Sequence, residues 1–151
     1  MHLFNDENDK EFAVFFILIS SIVIVYPIYL LEYLLSGTRI LPYVSPFIEE
    51  IVKSVVLFYF IRKTLPDMKY SLIYGLAMGG GYGFVENLLY SVELIPSPYF
   101  FSIMALRFIY PILIHMNSSI VFSGMAQKKF ALTGLMMAIL IHLIYNIIVL
   151  L

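Results

Sequence analysis

The chain has 151 residues, of which 62% are hydrophobic and 13% charged, and its mean hydropathy is +0.94. Because soluble domains are about half apolar, this composition excludes a soluble domain and requires lipid as the solvent for much of the chain. The net charge of -1, without a basic cluster, excludes a nucleic-acid partner, and the lack of cysteine excludes disulfide and thiolate chemistry. The sequence therefore predicts an integral membrane protein.

A helix that crosses a membrane needs about 20 mostly apolar residues, and five stretches of the chain meet that condition. In chain order they cover residues 12–35, 46–62, 71–94, 99–125 and 130–151. No repeat or linker separates them. We therefore expect an all-α integral membrane protein in which residues 1–151 form one domain, a compact bundle of about five transmembrane helices.

Positive charge is distributed unequally between the two ends of this predicted bundle. The end that holds the N-terminus carries six cations, which are Lys10, Arg62, Lys63, Lys69, Lys128 and Lys129. The opposite end carries Arg39 alone. Since short loops rich in Lys and Arg stay in the cytoplasm, we expect a cytoplasmic N-terminus and a C-terminus outside.

The second predicted helix combines a start signal with three charged residues. Ser45 is the expected N-cap, and Pro46 takes the first helical position. The helix dipole explains one acid in a first turn, but it explains the adjacent pair Glu49 and Glu50 poorly. Lys53 follows them at spacings of four and three residues, which permit an ion pair with either. Ionisable residues within a span indicate function, so both glutamates are site candidates.

The third predicted helix contains a glycine stripe. Gly75, Gly79 and Gly83 recur at intervals of four residues. Such a stripe of small residues lets the backbone of another helix come close. We interpret it as a helix-packing surface and not as a phosphate loop, because no strand precedes it and no Gly-Lys-Ser follows.

Glu86 and Asn87 follow the glycines, deep in the third helix. Glu86 should lie about 6 Å from the bilayer midplane, at a rise of 1.5 Å per residue. One interpretation of Glu86 is a structural ion pair with Arg107, and the other is an active-site carboxyl. Asn87 and Arg107, together with Lys53, are the expected structural or charge partners of the site.

Two histidines lie in the last two predicted helices. His142 and Asn146 are four residues apart and share one helix face, and His115 lies in the preceding helix. Alone, each histidine is explained by hydrogen bonding between helices. Together with glutamates at overlapping depths, they indicate a shared, water-filled cavity that opens outward.

Three motifs resemble those of the PrsW-type intramembrane proteases. "EEIVK" (49–53) is similar to their EExxK motif, "GYGFVEN" (81–87) to a glycine-rich motif that ends in Glu-Asn, and "HLIYN" (142–146) to HxxxN. The motifs stand in separate predicted helices and in the expected order. The resemblance extends to a clan that includes the CAAX prenyl endopeptidases and the scaffold subunit of gamma-secretase.

The resemblance implies hydrolysis of a peptide bond within or near the membrane. Glu49 would be the general base, with Glu50 as the other candidate for that role. Glu86 would occupy the place of an activating histidine. His142 and Asn146 would stabilise the oxyanion.

His115 matches a further membrane histidine of the PrsW-like branch. The implied reaction requires no cofactor, although zinc is possible, with ligands from Glu49, Glu86, His115 and His142.

Two departures from the family pattern stand out. Tyr82 occupies a position that usually holds phenylalanine, and the chain lacks helices that larger members possess.

The expected partners are the lipid bilayer and a transmembrane or membrane-tethered protein, for example a substrate similar to an anti-sigma factor. The resemblance suggests the plasma membrane of a prokaryote and leaves the oligomeric state open. Two other functions stay open as alternatives. One is a non-catalytic membrane scaffold, and the other is a proton-coupled transporter, against which the absence of inverted repeats argues.

Overall fold

The structure, a computed structural model, describes residues 7–38, 40–95 and 97–150. All regular structure in these ranges is α-helical, which confirms the all-α part of the predicted fold class. The five helices are α1 (Glu7–Leu35), α2 (Leu41–Thr64), α3 (Met68–Leu94), α4 (Phe100–Gln127) and α5 (Ala131–Leu150). Arg39, the cation predicted for the end opposite the N-terminus, lies outside the described residues.

Length and composition make three of these helices able to cross a membrane. They are α1, α4 and the Ala131–Val149 part of α5. α2 and α3 are also long enough, with 24 and 27 residues, but both carry charged and polar side chains in their middle turns. The five membrane spans therefore stay a prediction where α2 and α3 are concerned.

The exterior of the bundle is apolar. Large side chains such as Phe12, Leu34 and Phe101 are 63%, 79% and 85% exposed. In water, burial of such surface would be favoured by about 25 cal/mol per Å², so a soluble fold would not leave so much of it exposed. In a bilayer the same surface faces lipid tails at no such cost, so the helices present the exterior of a membrane protein.

α2 begins earlier than the sequence suggested. The prediction of Ser45 as N-cap is wrong, because Ile40 takes that position without a side-chain hydrogen bond and Pro42 lies in the first turn. Pro46 is therefore inside the helix. Since proline has no N–H, it cannot donate to the carbonyl of Pro42 one turn before it.

α3 and α4 pack against each other along the glycine stripe. A Cβ atom built on each glycine would lie within 3.1 Å of a Cα atom of α4. The three pairs are Gly75 and Ile120 (2.7 Å), Gly79 and Met116 (2.5 Å), and Gly83 and Ile112 (3.1 Å). Because both series advance by four residues in opposite directions, the two helices are antiparallel and in backbone contact over two turns.

α2 contacts all four other helices, and its buried face changes from apolar to polar along its length. Toward the cation-rich end of the bundle, Leu57 and Ile61 join an apolar core with Ile17, Tyr74 and Met78. Toward the opposite end, the buried face of α2 consists of charged and polar side chains. The candidate site lies in this polar half.

Candidate active site

The two adjacent glutamates of α2 have different surroundings, because neighbouring helical positions point about 100° apart. Glu49 and Glu50 are each 1% exposed. The Oε1 atom of Glu50 accepts hydrogen bonds from Lys53 Nζ at 2.5 Å and Ser118 Oγ at 3.0 Å, and it lies 2.9 Å from His142 Nδ1. Glu50 therefore joins α2, α4 and α5 and holds the imidazole of His142 in place.

Glu49 has one engaged and one free carboxylate oxygen. Its Oε1 accepts a hydrogen bond from Ser45 Oγ at 2.5 Å. Its Oε2 is buried and has no hydrogen-bond partner among the described residues. This oxygen lies 3.8 Å from His115 Nδ1 and 3.9 Å from His142 Nδ1. Since a buried oxygen without a donor is costly, Oε2 marks the position where a water or a substrate group would complete the site.

His115 is held at both ring nitrogens. Its Nδ1 lies 3.0 Å from Lys53 Nζ, and its Nε2 lies 2.5 Å from Glu86 Oε2. A lysine ammonium can only donate, so Nδ1 accepts and Nε2 carries the proton that is donated to Glu86. The ring of Tyr82 lies beside this group, 4.7 Å from Lys53 Nζ and 5.0 Å from the His115 ring. Both nitrogens of His115 are thus occupied.

A cavity of about 350 Å³ lies at the end of the bundle opposite the N-terminus, and all five helices contribute to its wall. It brings together five of the six predicted catalytic side chains, which are Glu49, Glu86, His115, His142 and Asn146. Glu50, the sixth, is not part of its lining and lies behind His142. The polar residues that the sequence distributes over four helices therefore border one space.

Asn146 replaces the backbone hydrogen bond that Pro46 cannot form in α2. The Asn146 amide donates from Nδ2 to the carbonyl oxygen of Pro42 at 3.3 Å. This is the carbonyl that would bond to an N–H at position 46 in an uninterrupted helix. Asn146 therefore ties α5 to the start of α2, and its second amide proton stays available to the cavity.

A double-mutant cycle would measure this contact. We expect Asn146→Ala to lower the free energy of unfolding by about 1 kcal/mol, because it removes a donor from a partly buried carbonyl. In the Pro46→Ala background, position 46 supplies the missing N–H, and the same substitution should cost markedly less. Unfolding in lipid or detergent, followed by circular dichroism, gives the four values. Equal costs in both backgrounds would show that the Pro42 contact is not what Asn146 contributes to stability.

The structural interpretation of Glu86 as the ion-pair partner of Arg107 is wrong. Glu86 pairs with His115, and Arg107 forms no ion pair with any described residue. The Arg107 guanidinium lies 4.6 Å from the centroid of the Tyr90 ring. Asn87 donates to a backbone carbonyl of its own helix one turn earlier, at 2.7 Å. Of the three expected charge partners, only Lys53 contacts the carboxylate and imidazole cluster.

Glu32 of α1 is a candidate that sequence reasoning missed. It is 3% exposed; its Oε1 lies 2.5 Å from Ser45 Oγ, and its Oε2 accepts from Tyr90 Oη at 3.3 Å. Ser45 therefore connects Glu32 to Glu49. Because a hydroxyl has one proton, two short contacts to carboxyl groups require a further proton within this set. The available signal was a lone acid near the end of an apolar helix.

Glu49, His115 and His142 are close enough to be considered as metal ligands. One ligand atom from each lies within 4.8 Å of the others, and a glutamate with two histidines is a donor set of catalytic zinc sites. A ligating imidazole needs a free lone pair. His115 has none, because its Nδ1 accepts from Lys53 and its Nε2 donates to Glu86. In this arrangement the residues do not fit a divalent ion.

An all-helical bundle with an apolar exterior, enclosing buried carboxylates and imidazoles around a cavity, defines a membrane protein with a candidate active site. The family model described as PrsW family intramembrane metalloprotease matches residues 11–151. The chain belongs to this family and is an integral membrane protease. This confirms the predicted resemblance to the PrsW-type proteases and the prediction of a protease. No curated protein and no solved structure shows a significant match to the chain.

Proposed function

We propose that the chain hydrolyses a peptide bond of a transmembrane or membrane-tethered protein, with Glu49 as the group that activates water. One observation carries this proposal. Glu49 borders the cavity, and its Oε2 is buried, lacks a partner among the described residues, and lies 3.8 Å and 3.9 Å from the Nδ1 atoms of His115 and His142. A carboxylate in this position can accept a proton from a water molecule in the cavity, as a general base does.

The other residues of the cavity support the same reaction. In the proposed sequence, Glu49 takes a proton from water as the oxygen attacks the carbonyl carbon, and it returns this proton to the leaving amine. Asn146 and His142 border the cavity next to Glu49. The second amide N–H of Asn146 would stabilise the oxyanion, and so would the Nε2–H of a protonated His142, because its Nδ1 faces Glu50. Glu86 fixes the ring of His115 beside Glu49.

The proposed orientation follows from the positions of the cations. Lys10 Nζ lies 5.3 Å from the ring of Tyr70, and Arg62 and Lys129 border one surface cleft, so these cations share the end opposite the cavity. With all five helices crossing the bilayer, the cation-rich end would face the cytoplasm and the cavity would open outside. We therefore propose cleavage near the outer face of a prokaryotic plasma membrane, in a substrate such as an anti-sigma factor.

We further propose that hydrolysis proceeds without a bound metal, because Lys53 occupies the lone pair that His115 would have to offer. The test uses purified protein in lipid vesicles with a panel of single-pass membrane proteins. We expect product fragments by mass spectrometry, a cleavage rate unchanged by a chelator, and no stoichiometric metal by elemental analysis. A zinc protease assayed in the same vesicles controls for access of the chelator.

The possible outcomes separate the two proposals. Cleavage that is lost with chelator and restored by zinc, with one bound equivalent that disappears in His142→Ala, would overturn the metal-free mechanism and leave the hydrolase in place. If wild-type protein cuts no member of the panel, the non-catalytic scaffold gains support instead.

A further inference from the structure

We propose that Arg107 determines substrate specificity by binding a carboxylate that lies three to four residues from the bond that is cut. The carboxylate would come from an acidic side chain or from the C-terminus of the substrate. This inference rests on the proposed proteolysis and adds to it a site of its own.

Arg107 has an unmet requirement for an acceptor. Its Nε atom is buried and has no hydrogen-bond partner among the described residues, and its guanidinium forms no ion pair with them. The ring of Tyr90 packs against the guanidinium at 4.6 Å and thereby holds it in place. A planar guanidinium presents paired donors that match a carboxylate, so an unpaired one that borders a cavity predicts an anionic ligand.

The charges around the cavity favour a substrate group as that ligand. Arg107 is the only cation that the described part of the chain contributes to the cavity lining, because Lys53 lies behind His115. Glu32, Glu49 and Glu86 line the same cavity, but no carboxylate of the described residues forms an ion pair with Arg107, and Glu86 pairs with His115 through Oε2. An incoming carboxylate could therefore bind Arg107 without displacing an ion pair formed by the described residues.

The position of the carboxylate follows from the geometry of α4. Arg107, Pro111 and His115 recur at intervals of four residues and border the same cavity. Eight residues at 1.5 Å each separate Arg107 from His115 by about 12 Å along the helix axis. An extended peptide covers roughly 3.3–3.6 Å per residue, so this distance corresponds to about three or four substrate residues.

Peptide binding tests the proposal separately from cleavage. The probes are fluorescein-labelled apolar peptides with a single aspartate moved one position at a time along the chain, each paired with the asparagine counterpart. Binding to the full-length Glu49→Gln variant in lipid nanodiscs is read by fluorescence anisotropy, and cleavage of the same peptides by wild type is read in parallel. We expect the aspartate peptide to bind about 10- to 100-fold tighter at one register.

Substitutions assign this preference to Arg107. Arg107→Gln should remove it, Arg107→Lys should retain part of it, and Arg107→Glu should favour a lysine peptide. Lys128→Gln, which removes an exposed cation at the other end of the bundle, is the matched control. Comparison of a free with an amidated peptide C-terminus separates the two sources of the carboxylate.

Each outcome bears on one proposal. Equal affinity for aspartate and asparagine peptides at every register and for both termini, or no binding of any peptide, would overturn the role of Arg107 even if wild type cleaves substrates. A preference that depends on Arg107 in a protein that cuts nothing would overturn the proteolysis and leave the carboxylate site. If Arg107→Gln does not fold, Arg107→Lys and the comparison of aspartate with asparagine peptides still test whether Arg107 binds the carboxylate.

Discussion

Replacing Glu49 by glutamine should lower the rate of peptide-bond cleavage by roughly 10²- to 10⁴-fold, the contribution of a general base. Glutamine keeps the size of the side chain and an oxygen that can accept from Ser45, but it cannot take a proton from water. The loss should therefore appear in kcat, with little change in KM. Initial rates on a reconstituted membrane substrate, together with the unfolding midpoint of each protein, provide the measurement.

Two controls make the Glu49 result specific. Glu11→Gln neutralises an exposed acid on α1 far from the cavity and should cut at the wild-type rate. Glu50→Gln weakens the acceptor of Lys53 and His142, so we expect it to reduce stability as well as activity. If Glu49→Gln folds normally and cleaves as fast as wild type, Glu49 is not the base.

Replacing Gly79 by alanine should destabilise the protein by roughly 1–3 kcal/mol, because the new methyl group would overlap α4. A Cβ atom there would lie 2.5 Å from the Cα of Met116 and closer still to the carbonyl of His115, and backbone atoms cannot rotate away. The helices must separate, and His115 moves with α4. We therefore expect a lower unfolding midpoint together with a loss of cleavage.

The adjacent residue offers a matched control. A Cβ atom on Gly80 would meet only the Met116 side chain, at 3.8 Å, which is ordinary van der Waals contact. Gly80→Ala should therefore be neutral or stabilise the protein by up to about 1 kcal/mol, since alanine favours helix more than glycine does. If Gly79→Ala and Gly80→Ala behave alike, close contact between α3 and α4 is not what the glycine stripe provides.

The helices could be predicted because each apolar stretch is long enough to span a bilayer and is separated from the next by turn residues. The start of α2 could not. Proline is common in the first turn of a helix, which made Pro46 an apparent start signal. The structure places it further inside because Asn146, whose amide lies 104 positions from Pro42 in the chain, satisfies the carbonyl left free. Local sequence does not contain that compensation.

The members of the site were more predictable than their contacts. Charged and amide side chains inside apolar helices indicated Glu49, Glu86 and His142 as candidates, because such residues are costly in a membrane, and the structure places all three around one cavity. The pairing of Glu86 with His115 and not with Arg107 depends on how each helix is rotated about its axis. Backbone contacts along the glycine stripe set that rotation, and spacing in the sequence does not determine it.

The buried charges of α2 have a consequence for how the protein enters its membrane. Glu50 and Lys53 pair with each other, but their further partners are made later, since His115, Ser118 and His142 lie 62 to 92 residues downstream of them. A charged residue at the centre of an inserting helix costs about 2.5–3.5 kcal/mol. If α2 crosses the bilayer as predicted, we expect it to reach a stable position only after α4 and α5 have been synthesised. His115 and His142, which line the cavity, would then also complete the insertion of the protein.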